Sequence, residues 1–209
     1  MSISRRQHWE QVYREKDTRE VSWYQPRPEV PLELIRIAGC PYDAPLIDIG
    51  GGASTLVDCL LEEGYTDLSV LDIAEPALLA AQQRLGQQAA KVRWIQADIT
   101  EYTPQRNYRL WHDRAVFHFL TGDAERQAYI GALRKGLQVG GHLVIGAFTP
   151  GGPSMCSGLP VRRYTASLLN QTLGEEFELL GSREEGHRTP AGKTQEFCFY
   201  LYVYRGGAG

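Results

Sequence analysis

The stretch PLIDIGGGAS, residues 45–54, joins a short apolar run to three successive glycines. An apolar run of this length that stops at a turn is typical of a buried strand. After the glycines, residues 53–63 carry leucine and valine at helical spacing, and Gly64 follows as a stop signal. The stretch therefore predicts a strand, a glycine turn and a helix that crosses back over a sheet.

The same alternation of strand and helix continues towards the carboxyl end of the chain. Helices are predicted at residues 75–85 and 123–136, and further strands at 68–73, 92–97, 108–112 and 141–148. The last two segments, FELLGSREE at 177–185 and TQEFCFYLYVY at 194–204, have a short connection and should pair antiparallel. We therefore predict an α/β fold with a doubly wound, mostly parallel seven-stranded sheet that contains one antiparallel strand.

The composition favours one globular domain over residues 1–209, with a core at 41–204 and a flexible tail at 205–209. Lys plus Arg total 22 and Asp plus Glu total 25, so the net charge is −3. This charge offers no basic surface to a nucleic acid, and no apolar run reaches the roughly 18 residues that span a membrane. We expect a cytoplasmic protein that binds neither. The four cysteines and five histidines lack metal-ligand spacing, so no metal site is predicted.

Carboxylates follow or end several of the predicted strands, where an open parallel sheet binds its ligand. They are Asp48, Asp72, Asp98 and Asp113, and the glycine turn Gly50, Gly51, Gly52 lies among them. A dinucleotide pyrophosphate is doubly negative and is disfavoured beside Asp48. In addition, Thr55 stands where the G-x-G-x-x-G fingerprint has its third glycine. The pattern indicates a positively charged ligand without phosphate, although an oxidoreductase with a nucleotide cofactor stays an alternative.

S-adenosylmethionine carries groups that match these residues. We expect Asp48 to bind its ammonium and the glycine turn to lie along its methionine part. Asp72 is placed to accept the ribose hydroxyls, with Ile73 on the purine face. Asp98 and Ile99 are placed at the adenine amino group and the ring edge.

The motifs LIDIGGGAS at 46–54, VLDI at 70–73, QADI at 96–99 and LRKGLQVGGHLVIGAF at 133–148 resemble those of class I S-adenosylmethionine-dependent methyltransferases. The resemblance implies a Rossmann-like fold and transfer of a methyl group, with S-adenosylhomocysteine as product. Two departures from the family pattern are Ser54, where many members have a glycine, and Gly136 with Gln138, where a proline-containing turn is usual. Neither blocks the cofactor, and Ser54 is kept in the predicted cofactor site. A relative that binds the cofactor without catalysis is a further alternative.

Residues 1–30 are predicted to form a helix and a lid. In HWEQVYREKDTREVSWYQPRPEVP, residues 8–31, an amphipathic helix is followed by an extended aromatic stretch. Its aromatic pattern is similar to that of small-molecule methyltransferases of the thiol, halide and thiopurine type, and of some lysine methyltransferases. The resemblance places Trp23 and Tyr24 against the cofactor or the substrate.

The segment LWHDRAVFHFL, residues 110–120, should lie beside the departing methyl group. Asp113, Arg114 and His118 are the predicted catalytic residues, with Asp113 also near the cofactor. A local scaffold role for Asp113 and Arg114, and packing for His118, remain alternatives. The loop after the fifth strand adds Cys156, Arg162 and Arg163 as candidates for the pocket. The methyl acceptor stays open: a small molecule is favoured, an anionic one would suit the arginines, and a protein lysine is the alternative.

Overall fold

The predicted sheet is present in a computed structural model, which describes residues 4–207. Its seven long strands follow the order β3-β2-β1-β4-β5-β9-β8, and β9 runs antiparallel to both of its neighbours. A separate hairpin is formed by β6 and β7. The strands are β1 Leu46–Ile49, β2 Leu68–Asp72, β3 Val92–Gln96, β4 Tyr108–Arg114, β5 Leu137–Phe148, β6 Met155–Cys156, β7 Leu159–Pro160, β8 Phe177–Arg188 and β9 Thr194–Tyr204. The predicted fold class, with one reversed strand, is confirmed.

Helices cover both faces of this sheet. They are α1 Arg5–Glu15, α2 Glu29–Ile37, α3 Leu56–Glu62, α4 Glu75–Leu85, α5 Asp123–Gly136 and α6 Ala166–Leu173. The bounds of α4 and α5 equal the predicted ones. Helix α3 begins later than predicted because residues 50–54 form the turn, and β5 begins earlier because it follows α5 without a loop.

Strand alternation divides the core between the two faces. Leu46, Leu110 and Val144 pack with α2 and α3 on one face. Trp111 and Ile145 pack with α5 and α6 on the other. Because both faces are covered, the parallel strands are buried and their carboxyl ends are left as the edge where a ligand can enter.

The ends of the chain are described in part. Residues 1–3 of the predicted lid and 208–209 of the predicted tail lie outside the described residues. Within the tail, the backbone N–H of Arg205 donates to the carbonyl of Glu176 at 2.8 Å. Among residues 4–207, every helix is too short or too polar to cross a membrane.

Candidate active site

The turn after β1 needs glycine for steric reasons. Gly50 has a φ of +67°, which favours glycine. A Cβ on Gly50 would overlap the side chain of Val116, and one on Gly51 or Gly52 would overlap the carboxylate of Asp48 or Asp72. The backbone of the turn therefore lies directly against both carboxylates.

Asp48 is oriented by a histidine from the next strand. Asp48 and His112 are partners in the β1–β4 register, both are buried, and Nδ1 of His112 lies 2.7 Å from Oδ1 of Asp48. The other carboxylate oxygen, Oδ2, has no hydrogen-bond partner among the described residues. Asp48 thus keeps one oxygen for a positively charged or hydrogen-donating ligand group.

Asp72 closes β2 and is buried beside the glycine turn. Its Oδ1 accepts a hydrogen bond from the backbone N–H of Ala74 at 2.8 Å. Burial raises the pKa of Asp72 to about 7, against the effect of the backbone donors of Ala74 and Gly52, and the negative charge of Asp48 adds to the rise. This carboxylate can therefore change its charge near neutral pH.

Asp98 lies past the end of β3 and is engaged by the N-terminal helix. Its Oδ1 accepts from the backbone N–H and the hydroxyl of Thr100, at 2.9 and 2.7 Å. Its Oδ2 pairs with Nη1 of Arg5 at 3.2 Å, and Arg5 also pairs with Glu125. The predicted contact for the adenine amino group is thus also the point that ties α1 to the sheet.

Aromatic rings from the N-terminal segment cover the cleft. Trp9 makes edge contacts with Trp23 and Phe119, with ring centroids 5.7 and 5.0 Å apart, and Tyr13 meets Trp23 at 5.9 Å. The cleft beneath them has an empty volume of about 1030 Å³, including space open to solvent. The aromatic rings and the carboxylates of Asp48, Asp72 and Asp98 thus line one cleft.

Arg114 lies at the other end of the cleft, after Asp48 and His112. Its Nη1 donates to the carbonyl of Trp23 at 2.6 Å, and its guanidinium carbon is 5.2 Å from the ring centroid of Phe197. Nε and Nη2 are buried and have no partner among residues 4–207. Burial lowers the pKa of Arg114, while the carboxylates of Glu185 and Asp48 oppose this shift.

Most of the predicted site residues line this one cleft. They are Trp23, Asp48, Gly50, Gly51, Ser54, Asp72, Ile73, Asp98, Ile99 and Arg114. Gly52 lies behind them and makes room for Asp72, and Tyr24 is not part of the lining.

The structure corrects the placement of Asp113. Its carboxylate accepts from the hydroxyl of Tyr129 at 2.7 Å and from the backbone N–H groups of Val116 and Phe117 at 2.8 and 3.1 Å. Successive side chains alternate along β4, so Asp113 faces α5 while His112 and Arg114 face the cleft. Asp113 therefore stabilises the turn in which Ala115 has a φ of +70°.

His118 is also placed away from the cleft. Its ring is fully buried, 4.4 Å from the ring of Phe119 and 4.8 Å from that of Phe148, and neither nitrogen has a partner among the described residues. Burial lowers its pKa to about 3, and the positive charge of Arg114 adds to this. His118 is a neutral core residue here, which corresponds to the packing alternative.

Other cleft residues were missed or given another role by the sequence interpretation. They include His112, Arg5, Phe119 and Phe197, which are absent from the predicted site. Alternation along β4 could have indicated His112, since it shares a face with Arg114. Of the loop candidates, Cys156 lines the cleft, whereas Arg162 and Arg163 do not.

A sheet with this order, one reversed strand and a glycine turn after β1 has the fold of class I S-adenosylmethionine-dependent methyltransferases. The family model described as "Methyltransferase domain" matches residues 47–143. The central part of the chain is thus similar to methyltransferase domains. No curated protein matches the sequence.

Solved structures share this fold at low sequence identity. A SAM-dependent methyltransferase from Anabaena variabilis is 18% identical with a TM-score of 0.75, over 98% of this chain and 96% of that one. The N-methyltransferase NodS from Bradyrhizobium japonicum, in complex with S-adenosylhomocysteine, is 17% identical with a TM-score of 0.72, over 93% and 97%. The 1,6-didemethyltoxoflavin-N1-methyltransferase of Burkholderia thailandensis is 21% identical with a TM-score of 0.68, over 85% and 77%.

Proposed function

We propose that this enzyme transfers the methyl group of S-adenosylmethionine to a small-molecule acceptor inside the cleft. The cofactor lies along the carboxyl ends of β1, β2 and β3. Asp48 and the glycine turn hold its methionine part, Asp72 holds the ribose, and the adenine lies between Ile73 and Ile99, near Asp98. The acceptor lies at the end formed by β4, β5 and β9.

The aromatic cover is the observation that carries the choice of a small acceptor. Trp9, Tyr13 and Trp23 lie over the cleft, and Arg5 ties their segment to Asp98 and Glu125. At the transfer end, Cys156 and Phe197 are buried. A small molecule can be enclosed under this cover, whereas a lysine on a folded protein must reach in from the surface. The relative from Burkholderia thailandensis has a small molecule, 1,6-didemethyltoxoflavin, as its bound acceptor.

Enclosure also suits the chemistry of the transfer. The acceptor atom forms a bond to the methyl carbon while the bond from that carbon to sulfur breaks, and the sulfur leaves neutral. Such a displacement depends mainly on alignment and on the exclusion of water. The aromatic cover excludes water, and the dyad of His112 and Asp48 holds the donor end in place. The residues of the chain thus align the reacting groups and exclude water from them.

The proposal is tested by following a labelled methyl group. Purified protein is incubated with labelled S-adenosylmethionine and a cell extract, and the extract is then separated into small molecules and proteins. We expect the label in a small-molecule product that separates from the unreacted cofactor, and much less of that product with Asp72→Ala, which should weaken cofactor binding by about 1 to 3 kcal/mol. Label in the protein fraction alone would replace the small acceptor by a protein side chain.

A further inference from the structure

Arg114 has an unfilled hydrogen-bonding edge. Nη1 is used by the carbonyl of Trp23, but Nε and Nη2, which lie on one edge of the planar guanidinium, are buried without a partner. None of the ion pairs among residues 4–207 includes Arg114. A buried donor without a partner is costly, and more so on a charged group. An acceptor from outside the chain would remove this cost.

The position of Arg114 separates it from the cofactor. In register, Arg114 pairs with Gly146 of β5, and β4 lies between β1 and β5 in the sheet. Its neighbours are Phe197 from β9, Cys156 from the hairpin and Trp23 from the N-terminal segment. The residues proposed for the cofactor lie on β1, β2 and β3. The free edge of Arg114 therefore belongs to the acceptor end of the cleft.

From this juxtaposition we propose that the methyl acceptor is an anion, and that its carboxylate binds to Nε and Nη2 of Arg114. Two parallel N–H groups on a planar fork match the two oxygens of a carboxylate, which a lysine ammonium cannot reproduce. The carboxylate serves as an anchor, and a different atom of the acceptor takes the methyl group. The inference rests on the proposed function, since it names the class of small molecule that the same site accepts.

The charges around Arg114 are compatible with this role. Two carboxylates influence the guanidinium, Glu185 and Asp48, and both favour its charged form. Neither carboxylate forms an ion pair with Arg114. One oxygen of Glu185 accepts from Gln25 at 2.9 Å and one oxygen of Asp48 is bonded to His112, while the second oxygen of each has no partner among the described residues. The two carboxylates thus oppose the effect of burial on the guanidinium, and Nε and Nη2 stay free for an anionic group.

A binding experiment tests the anchor without turnover. Protein saturated with S-adenosylhomocysteine is titrated in a calorimeter with benzoate and with benzamide, which has similar shape and no charge. We expect benzoate alone to bind, with a dissociation constant about 10- to 100-fold higher in Arg114→Met and an intermediate value in Arg114→Lys. Arg162→Met is the matched control, because Arg162 lies outside the cleft, and it should bind benzoate as the wild type does. Equal binding of the two ligands, binding of neither, or an unchanged Arg114→Met protein would overturn the proposal.

Two further readouts separate the possible failures. Arg114→Lys should raise the KM for the acceptor and leave the affinity for S-adenosylhomocysteine unchanged. A loss of cofactor affinity would instead assign the fork to the cofactor's own carboxylate and overturn the inference. In the extract experiment, the labelled acceptor should be retained by an anion exchanger at neutral pH. A labelled small molecule other than unreacted S-adenosylmethionine that passes through contradicts only the anionic acceptor, whereas label in proteins contradicts the proposed function itself.

Discussion

His112 and His118 are both buried, but they lie in different surroundings. His112 is bonded to Asp48 in the cleft, whereas His118 lies among phenylalanine rings with two unpartnered nitrogens. His112 makes a hydrogen bond that fixes the carboxylate of Asp48. His118 has a polar ring where an apolar one would fit.

His118→Phe should therefore stabilise the protein without affecting methyl transfer. Removing the unsatisfied nitrogens should raise the free energy of unfolding by about 1 to 3 kcal/mol at neutral pH. The gain should increase in acid. With a folded-state pKa lowered to about 3, His118 binds a proton mainly in the unfolded chain, so wild-type stability is lost as the pH falls below about 6.5.

Urea unfolding at neutral and acidic pH, together with initial transfer rates, measures both effects. A slow variant with normal affinity for S-adenosylhomocysteine would contradict this placement. It would restore the catalytic role that was predicted from the sequence.

Gly52 has a hydrogen atom where other residues have a Cβ, and the carboxylate of Asp72 lies in the space that a Cβ would need. A Cβ there would overlap Oδ2 of Asp72 and lie 2.7 Å from the Cβ of Ala77. We expect Gly52→Ala to lower stability by about 1 to 3 kcal/mol and to weaken cofactor binding, because Asp72 must move.

Gly131→Ala is the matched control. Gly131 lies in α5 with open space around it, so the change should be neutral or stabilising by up to about 1 kcal/mol. Thermal unfolding and calorimetry with S-adenosylhomocysteine test the pair, and equal behaviour of the two variants would contradict the steric argument.

At the scale of elements, the strands and helices were largely predictable, but the direction of individual side chains was not. Three local signals predicted the sheet. They are the apolar run of β1, Pro76 in the first turn of α4 and the alternation of strand and helix. Asp113 was misplaced because nothing local fixes where β4 ends. The strand runs to Arg114, and a shift of one residue exchanges the cleft face for the α5 face.

Long-range contacts were also beyond the sequence. The ion pair of Arg5 with Asp98 joins residues that are 93 positions apart, and no motif announces it. The helix that contains Arg5 could be predicted from its amphipathic pattern. The position of this helix against the cleft depends on packing between Trp9, Trp23 and Phe119, which come together only in the folded chain.

Helix α1 should control the release of the product. If it covers the cleft, Arg5→Gln removes both ion pairs that hold it and should speed dissociation of S-adenosylhomocysteine about 2- to 5-fold, since partly exposed ion pairs are weak. Arg14→Gln is the control, because its pair with Glu10 lies on the same helix, its side chain is 66% exposed, and it should have no effect. Stopped-flow displacement measures the rates. Equal rates in the wild type and in Arg5→Gln would show that α1 does not limit release.

At the scale of the whole molecule, the lining of the cleft combines three carboxylates with two arginines, Arg5 and Arg114. Asp48, Asp72 and Asp98 lie towards β1, β2 and β3, and Arg114 lies towards β5 and β9. Bringing buried carboxylates together has a cost that depends on pH. The folded-state pKa of Asp72 is about 7, above its ordinary value, so ionising it opposes folding. Its contribution to stability therefore falls as the pH rises from about 4 to 7.

Binding of the cofactor should reverse this cost, because the ribose hydroxyls are donors and need an ionised acceptor. In the free protein Asp72 is largely protonated at about pH 6 and ionised at about pH 8. If only the ionised form binds the ribose, the dissociation constant for S-adenosylhomocysteine should decrease as the pH rises. The decrease should approach 10-fold per pH unit below about pH 7 and level off above about pH 8. Formation of the complex should release a proton, which calorimetry detects as a binding enthalpy that depends on the ionisation enthalpy of the buffer. Asp72→Asn should bind more weakly and lose this part of the pH dependence. A wild-type affinity that is flat over this range would mean that another group receives the ribose.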